Sequence, residues 1–404
     1  MSSPRRVIFL RPSLGIGGAE RWALDAALAL QANGWDVEIV VNQFDPRRTF
    51  PEAREGRVKI TALGGRPAWL AASRFRAFSA LIGQRILLRR LRQRGPAAAP
   101  DLFICDLVPH AAAWVQAEFP RARVVVYCHY PDVTIGSAHG LYRLYRDAIA
   151  RRERRGMHAA HRVLANSEFT AAAVRRAFPD LPPSRLAVVY PGVAPAAAGA
   201  AAAAPLRTNL VLARFDPTKN YPLAIAAFAA LRSLLTAEQF APLRLLLAGG
   251  FDWRLPEARA LVAQLAAQTQ AHGLTAQVEF HFDPAAEQLA ELWQRASALL
   301  HPAPAEHFGI VLVEAMARGL PVLAVAQGGP LEIVAEGITG ALRPADPAAF
   351  AGVLRQWVIE PGLAATWGQA GRRRAEQHFS AERFARAFAA QADSLAVAAE
   401  AKNA

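Results

Sequence analysis

Short apolar runs alternate along the chain with stretches in which apolar residues recur every three or four positions, and the alternation occurs twice. In the first half the runs are Arg6–Arg11, Val37–Val41, Val58–Leu63, Leu102–Cys105, Arg123–Cys128, Val163–Ala165 and Leu186–Tyr190. They are too short for helices and too evenly apolar for a sheet with one wet face, so they read as strands of a parallel sheet. Between them, Trp22, Ala23, Ala26, Ala27 and Leu30 mark a helix that ends at Asn33-Gly34, and Leu141, Tyr142, Leu144, Tyr145 and Ile149 mark another. Ser167, with Glu168 close behind, caps a third. From Pro195 to Pro205 the chain is almost all alanine without periodicity and reads as a linker or inserted loop. The pattern then restarts. Strands are expected at Leu210–Ala213, Leu243–Ala248, Val278–Phe282, Ala298–His301 and Val322–Val325. Helices are expected from Pro222, over about Pro256–His272, Leu289–Arg295 and Leu331–Ala335, and throughout the tail from Pro347. This predicts an α/β protein of two Rossmann-like, doubly wound parallel-sheet domains facing a cleft. The expected division is 1–195, a linker at 196–205, a second domain at 206–375, and a C-terminal helix and tail at 376–404.

Composition agrees with two domains: 404 residues, 53% of them apolar, are enough for two cores. Cys105 and Cys128 both sit inside apolar runs, which argues for buried thiols and a reducing, cytosol-facing setting. No metal-ligand spacing of Cys or His appears, the N-terminus has no signal-peptide core, and no apolar span is long enough for a transmembrane helix. Charge changes the picture more. Residues 1–205 hold 29 Lys and Arg against 15 Asp and Glu, whereas residues 206–404 hold 17 against 18. The basic half suits nucleic acid, an anionic membrane surface or a phosphorylated substrate. No aromatic-interleaved basic motif supports nucleic acid. Within that half, residues 68–94 carry no acid, seven arginines, and Phe75, Phe78, Ile82 and Ile86 on one helical face. Such a helix lies in a membrane interface or, because Arg89 falls on the apolar face, packs as a solvated surface helix.

Candidate chemistry lies where strands hand over to helices. Gly15, Gly17 and Gly18 lead into the first helix and serve either a tight turn or a close approach to phosphate. His129 ends an apolar strand, where parallel sheets bind ligands, and is either a ligand contact or a structural histidine. In the second half the corresponding loops carry Arg214 and Lys219, Gly249-Gly250, Gly328-Gly329, and two acids eight positions apart, Glu306 and Glu314. The stretch His307-Phe308-Gly309-Ile310 separates the acids. Acids near a helix start often only balance its dipole. With two cations and several helix N-termini nearby, the same set makes a diphosphate cradle with one carboxylate for sugar hydroxyls or an oxocarbenium-like charge and one for ribose.

The Glu306/Glu314 pair resembles the glutamate signature of the retaining GT-B glycosyltransferases of family 4. Gly-Gly-Ala-Glu at Gly17–Glu20, Arg214 with Lys219, and Gly328-Gly329-Pro330 follow in that family's order. Longer runs narrow the likeness: Leu14–Arg21, Tyr127–Asp132, Ala248–Asp252 and Glu306–Val311 are similar to the eukaryotic α-1,3/α-1,6-mannosyltransferases of the dolichol-linked oligosaccharide pathway. The resemblance implies a retaining enzyme that transfers mannose from GDP-mannose to dolichol-diphosphate-linked Man-GlcNAc2 at the cytosolic face of the endoplasmic reticulum membrane, next to other early-pathway glycosyltransferases. It implies that Arg214 and Lys219 hold the donor diphosphate, and that Glu306 contacts the mannose with the backbone of His307, Phe308, Gly309 and Ile310 alongside. It implies further that Glu314 holds the ribose, that Gly17 and Gly18 close over the diphosphate, that Gly249 belongs to the donor site, and that His129 faces the sugar. No cofactor or metal is called for, and no side-chain nucleophile is assigned. The polar Ala/Glu tail departs from the pattern and leaves membrane attachment to residues 68–94 and the basic half. Two other readings keep the fold: a family 4 enzyme with another donor or glycolipid acceptor, and a non-transferring epimerase or scaffold.

Overall fold

The seven parallel strands of the first sheet are β1 (Arg6–Leu14), β2 (Asp36–Phe44), β3 (Lys59–Ala62), β4 (Leu102–Asp106), β5 (Arg123–Cys128), β6 (Arg162–Ala165) and β7 (Leu186–Val188). A computed structural model shows them, describing residues 5–64, 76–95, 99–134, 141–196 and 207–403. Their order is β3-β2-β1-β4-β5-β6-β7, so the winding reverses between β1 and β4. β1 runs past its apolar residues because Ser13 pairs with Gln43 and Leu14 with Phe44 of β2. Side chains alternate between the two faces of the sheet. Val7 and Phe9 enter one core with Trp22, Leu24 and Leu30, while Ile8 and Leu10 enter the other with Phe103, Cys105, Val126 and Cys128. Both cysteines are buried free thiols.

The chain divides into two compact units, Met1–Gly192 with Ala381–Ala404, and Val193–Ser380. The tail, expected to be helical throughout, consists of three helices, Pro347–Ile359, Pro361–His378 and Ala381–Asn403. Pro361 begins the second, and Phe379-Ser380 separates the second from the third. The last helix closes the first core, since Phe388 meets the rings of Phe9 and Trp22 at 6.5 and 5.6 Å. Of the linker expected at 196–205, all but Ala196 lies outside the described residues, as do residues 68–75 of the basic segment. The rest of that segment forms the helix Arg76–Arg92. Leu81, Leu87, Leu88 and Leu91 are buried, while Phe78 is exposed and Ile82 and Ile86 are half-buried. Among the described residues no helix is long and apolar enough to cross a membrane.

The second unit repeats the plan with β8 (Thr208–Leu212), β9 (Arg244–Gly249), β10 (Val278–Phe282), β11 (Ala298–His301), β12 (Val322–Val325) and β13 (Gly340–Arg343) in the order β10-β9-β8-β11-β12-β13. Its core joins Leu245, Leu247, Leu300 and Leu323 to Phe228, Leu231, Phe350 and Trp357. The winding reverses between β8 and β11, and parallel sheets bind ligands at the carboxyl ends of such neighbouring strands.

Candidate functional site

The loops leaving β8 and β11 meet at that reversal. After β8, Asp216 caps a short turn by accepting the Thr218 N–H at 2.9 Å, and Asn220 takes a left-handed conformation (φ 50°) before the helix Tyr221–Arg232. The Tyr221 hydroxyl donates toward the Ala213 and Ala248 carbonyls at 2.6 and 3.0 Å and so ties the loop to the ends of β8 and β9. Lys219 is thereby aimed at Glu306: its Nζ lies 2.7 Å from Oε2. His301, the last residue of β11, brings Nε2 to 3.3 Å of the same oxygen, while Oε1 accepts the His307 N–H at 3.1 Å. Burial would raise the Glu306 pKa, but His301 and Lys219 outweigh it and hold the carboxyl well below its ordinary range. Glu306 stays charged and keeps 16% of its side chain accessible, against 21% for Lys219.

Glycines fix the backbone under this carboxylate. A Cβ on Gly328 or Gly329 would run into the backbone of Glu306 or Phe308, and the Gly329 N–H donates to the Glu306 carbonyl at 2.8 Å. Gly328-Gly329 therefore shapes the Glu306 loop, and the helix after it, Pro330–Ile333, is only four residues long. Gly309 (φ 93°) starts the helix Ile310–Ala317, Phe308 is buried against Phe379, and Ile310 and His307 are half-buried. Glu314 sits one turn into that helix, half-buried, beside Arg318, which donates to its carbonyl at 2.7 Å. Arg214 is exposed next to Gly250, and a side chain on Gly249 would enter the Ala213 carbonyl. The second-half residues expected at the site thus lie at the carboxyl edge of this sheet, Gly249 at the end of β9 and the others on the loops and helices that follow β8 and β11. Lys219 and Glu306 are brought into direct contact.

In the first unit, Gly17 precedes the helix Gly18–Ala32, and Glu20 in its first turn fills the space a Gly17 side chain would need. His129 follows β5, with Nε2 2.7 Å from Asp106 Oδ1 at the end of β4. Asp106 in turn pairs with Arg11 from β1. The pair is wholly buried, and Arg11 also lies 3.4 Å from Glu20. Burial and the Arg11 cation push the His129 pKa down to about 3, so the imidazole is neutral near pH 7. Sequence reasoning missed Arg11, Asp106 and His301. Each is a lone polar residue at or near the carboxyl end of an apolar strand, the signal that singled out His129. Among the described residues no group of three or more His, Cys, Asp or Glu could hold a metal ion.

Comparison with known proteins adds three findings. The sequence signature described as Glycosyltransferase Family 4 matches residues 16–197, and the one described as Glycosyl transferases group 1 matches residues 204–374. The chain is 34% identical over 396 residues to the alpha-1,3/1,6-mannosyltransferase ALG2 of Homo sapiens, covering 94% of this chain and 93% of that one. It is 32% identical over 418 residues to the enzyme of the same name from Schizosaccharomyces pombe, covering 96% and 80%. Among solved structures, sucrose-phosphate synthase from Thermosynechococcus elongatus superposes with a TM-score of 0.79 at 22% identity over 98% of this chain and 100% of that one. The lipopolysaccharide glycosyltransferase WaaG superposes at 0.71 and 19% identity over 95% and 98%. These structural likenesses concern the fold.

Proposed function

The chain belongs to the α-1,3/1,6-mannosyltransferases, family 4 glycosyltransferases of GT-B fold, and from that premise we propose that it transfers mannose from GDP-mannose, with retention, to a dolichol-diphosphate-linked Man-GlcNAc2 acceptor. The observation that carries the proposal is the contact of Lys219 with Glu306 at the reversal of the second sheet, with His301 behind the carboxylate. The lysine and the carboxylate satisfy each other. With donor bound, Lys219 and the exposed Arg214 hold the diphosphate and stabilise charge on the departing GDP. The charged, His301-backed Glu306 then faces the mannose as positive charge builds at its anomeric carbon. The N–H groups of His307 to Ile310 line the sugar, Glu314 holds the ribose, Gly249 lets the donor approach the end of β9, Gly17 and Gly18 serve the diphosphate, and His129 faces the sugar. The bond from the anomeric carbon to the diphosphate breaks and a new one to the acceptor hydroxyl forms on the same face, without a side-chain nucleophile. Cationic side chains carry the charge work in place of a metal.

The same reading places the enzyme at the cytosolic face of the endoplasmic reticulum membrane, on an anionic surface. Support comes from the basic first half, from the outward Phe78 on the arginine-rich helix Arg76–Arg92, and from exposed Leu144 on the helix Leu141–Ala159 beside Arg143 and ahead of Arg151, Arg152, Arg154 and Arg155. The test is incubation of the full chain with the lipid-linked acceptor and either GDP-mannose or UDP-sugars, followed by linkage analysis. New α-1,3 and α-1,6 mannose from GDP-mannose is expected. Incorporation from a UDP donor alone would overturn the proposal.

A further inference from the structure

The first unit holds a charged cluster that donor binding by the second unit does not explain. Arg11, Asp106 and His129 come from the ends of three neighbouring strands. Arg11 has no accessible side chain, yet its guanidinium is engaged almost all round. Nε donates to the Ser13 carbonyl at 3.2 Å, Nη1 to the Ala19 carbonyl at 3.0 Å and to Asp106 Oδ2, and Nη2 lies 3.4 Å from Glu20 Oε1. Asp106 is equally buried and spends its other oxygen on His129 Nε2 at 2.7 Å. A carboxylate paired with an arginine carries no proton and only accepts. The proton in the contact therefore belongs to the imidazole. The rings of Trp22 and Tyr127 meet the His129 ring edge-on at 5.7 and 4.9 Å and limit its rotation. The side chain stays 23% accessible while Asp106 has no exposure, so a ligand meets the histidine and not the acid behind it.

We infer that Asp106, balanced by Arg11, is a positioning residue that fixes His129 with its proton on Nε2, so that Nδ1 offers a lone pair to a hydroxyl of the bound sugar. The inference rests on the proposed contact of His129 with the donor sugar. It assigns that histidine the part of hydrogen-bond acceptor. The low His129 pKa agrees, since an imidazolium would have no lone pair to offer.

The test joins a spectroscopic readout to kinetics. In the full chain labelled with 15N-histidine, with His129→Ala to assign the signals, His129 is expected neutral at pH 7 with a protonated Nε2 and an unprotonated Nδ1. A proton on Nδ1, or an imidazolium, overturns the inference, and this measurement needs no variant of Asp106 to fold. In Asp106→Asn, the single amide oxygen cannot serve both Arg11 and His129. The Nδ1–H form should appear, and kcat/KM for GDP-mannose should fall at least tenfold while GDP, which has no sugar, binds as before. A flipped tautomer with unchanged kcat/KM contradicts the inference. If His129→Ala itself leaves kcat/KM unchanged, it is the sugar contact that fails, and the tautomer result stands apart from it.

Discussion

The two sheets carry the same device at the same topological place and use it differently. In each, the first and fourth strands lie side by side, and positions near or beyond their carboxyl ends supply one cation and one carboxylate that pair. Arg11 and Asp106 are sealed from solvent, whereas Lys219 and Glu306 keep about a fifth and a sixth of their side chains open. A sealed pair has given up hydration of both charges and depends on complete partnering, so its work is to hold neighbours in place. An open pair trades one partner for a ligand at little cost. The choice of cation agrees: arginine's fixed fork satisfies several acceptors at once, while lysine is a mobile point charge suited to a phosphate.

The comparison fails if the sealed pair proves dispensable. Arg11→Met strands a buried carboxylate, and urea unfolding should show a loss of about 3–5 kcal/mol. Glu306→Gln at the open pair should reverse that balance. Mannosyl transfer should fall about 10²–10³-fold, roughly 3–4 kcal/mol of transition-state stabilisation, with a far smaller change in unfolding. A smaller effect sharpens the contrast through pH. Glu306 has a depressed pKa in the folded protein, so its contribution to stability is complete above its ordinary value of 4.5 and fades as the pH falls below it. Lys219→Met removes one cause of the depression. It should therefore cost about 1–2 kcal/mol near neutrality, and the gap from the unaltered chain should narrow in urea unfolding at pH 3.5. The smallest effect is expected for Glu314→Gln, with KM for GDP-mannose raised about tenfold, roughly 1.4 kcal/mol, and kcat little changed.

The strands were legible because parallel strands buried on both faces must be short and apolar; the exception is β13, Gly340–Arg343, which is too short and too close to turn residues to stand out as a run. β1 outran its pattern because Ser13 and Leu14 are held by pairing with β2, which local composition does not record. The last helix was legible as a helix but not as part of the first core, since Phe384 and Phe388 would look the same packed on either unit. The helix Arg76–Arg92 has apolar residues on two sides, and only the sheet decides which of them is buried. At the site, Lys219 and Glu306 stood out by spacing and resemblance. Arg11 and Asp106 did not, because each looks like an ordinary strand residue until the other, 95 positions away in sequence, is placed beside it, and His301 did not, because nothing in its strand marks it as a partner of Glu306. Gly328-Gly329 was expected near phosphate. The packing of Glu306 and Phe308 backbone against it is a long-range demand that no local pattern carries.

Titration of GDP into the full chain and into Lys219→Met tests most directly whether the open pair is the donor diphosphate site. The account predicts binding at least tenfold weaker in the variant, roughly 1.4 kcal/mol or more, with the fold retained. Equal affinity in the two proteins would contradict it and leave Lys219 with Glu306 as a second piece of scaffolding.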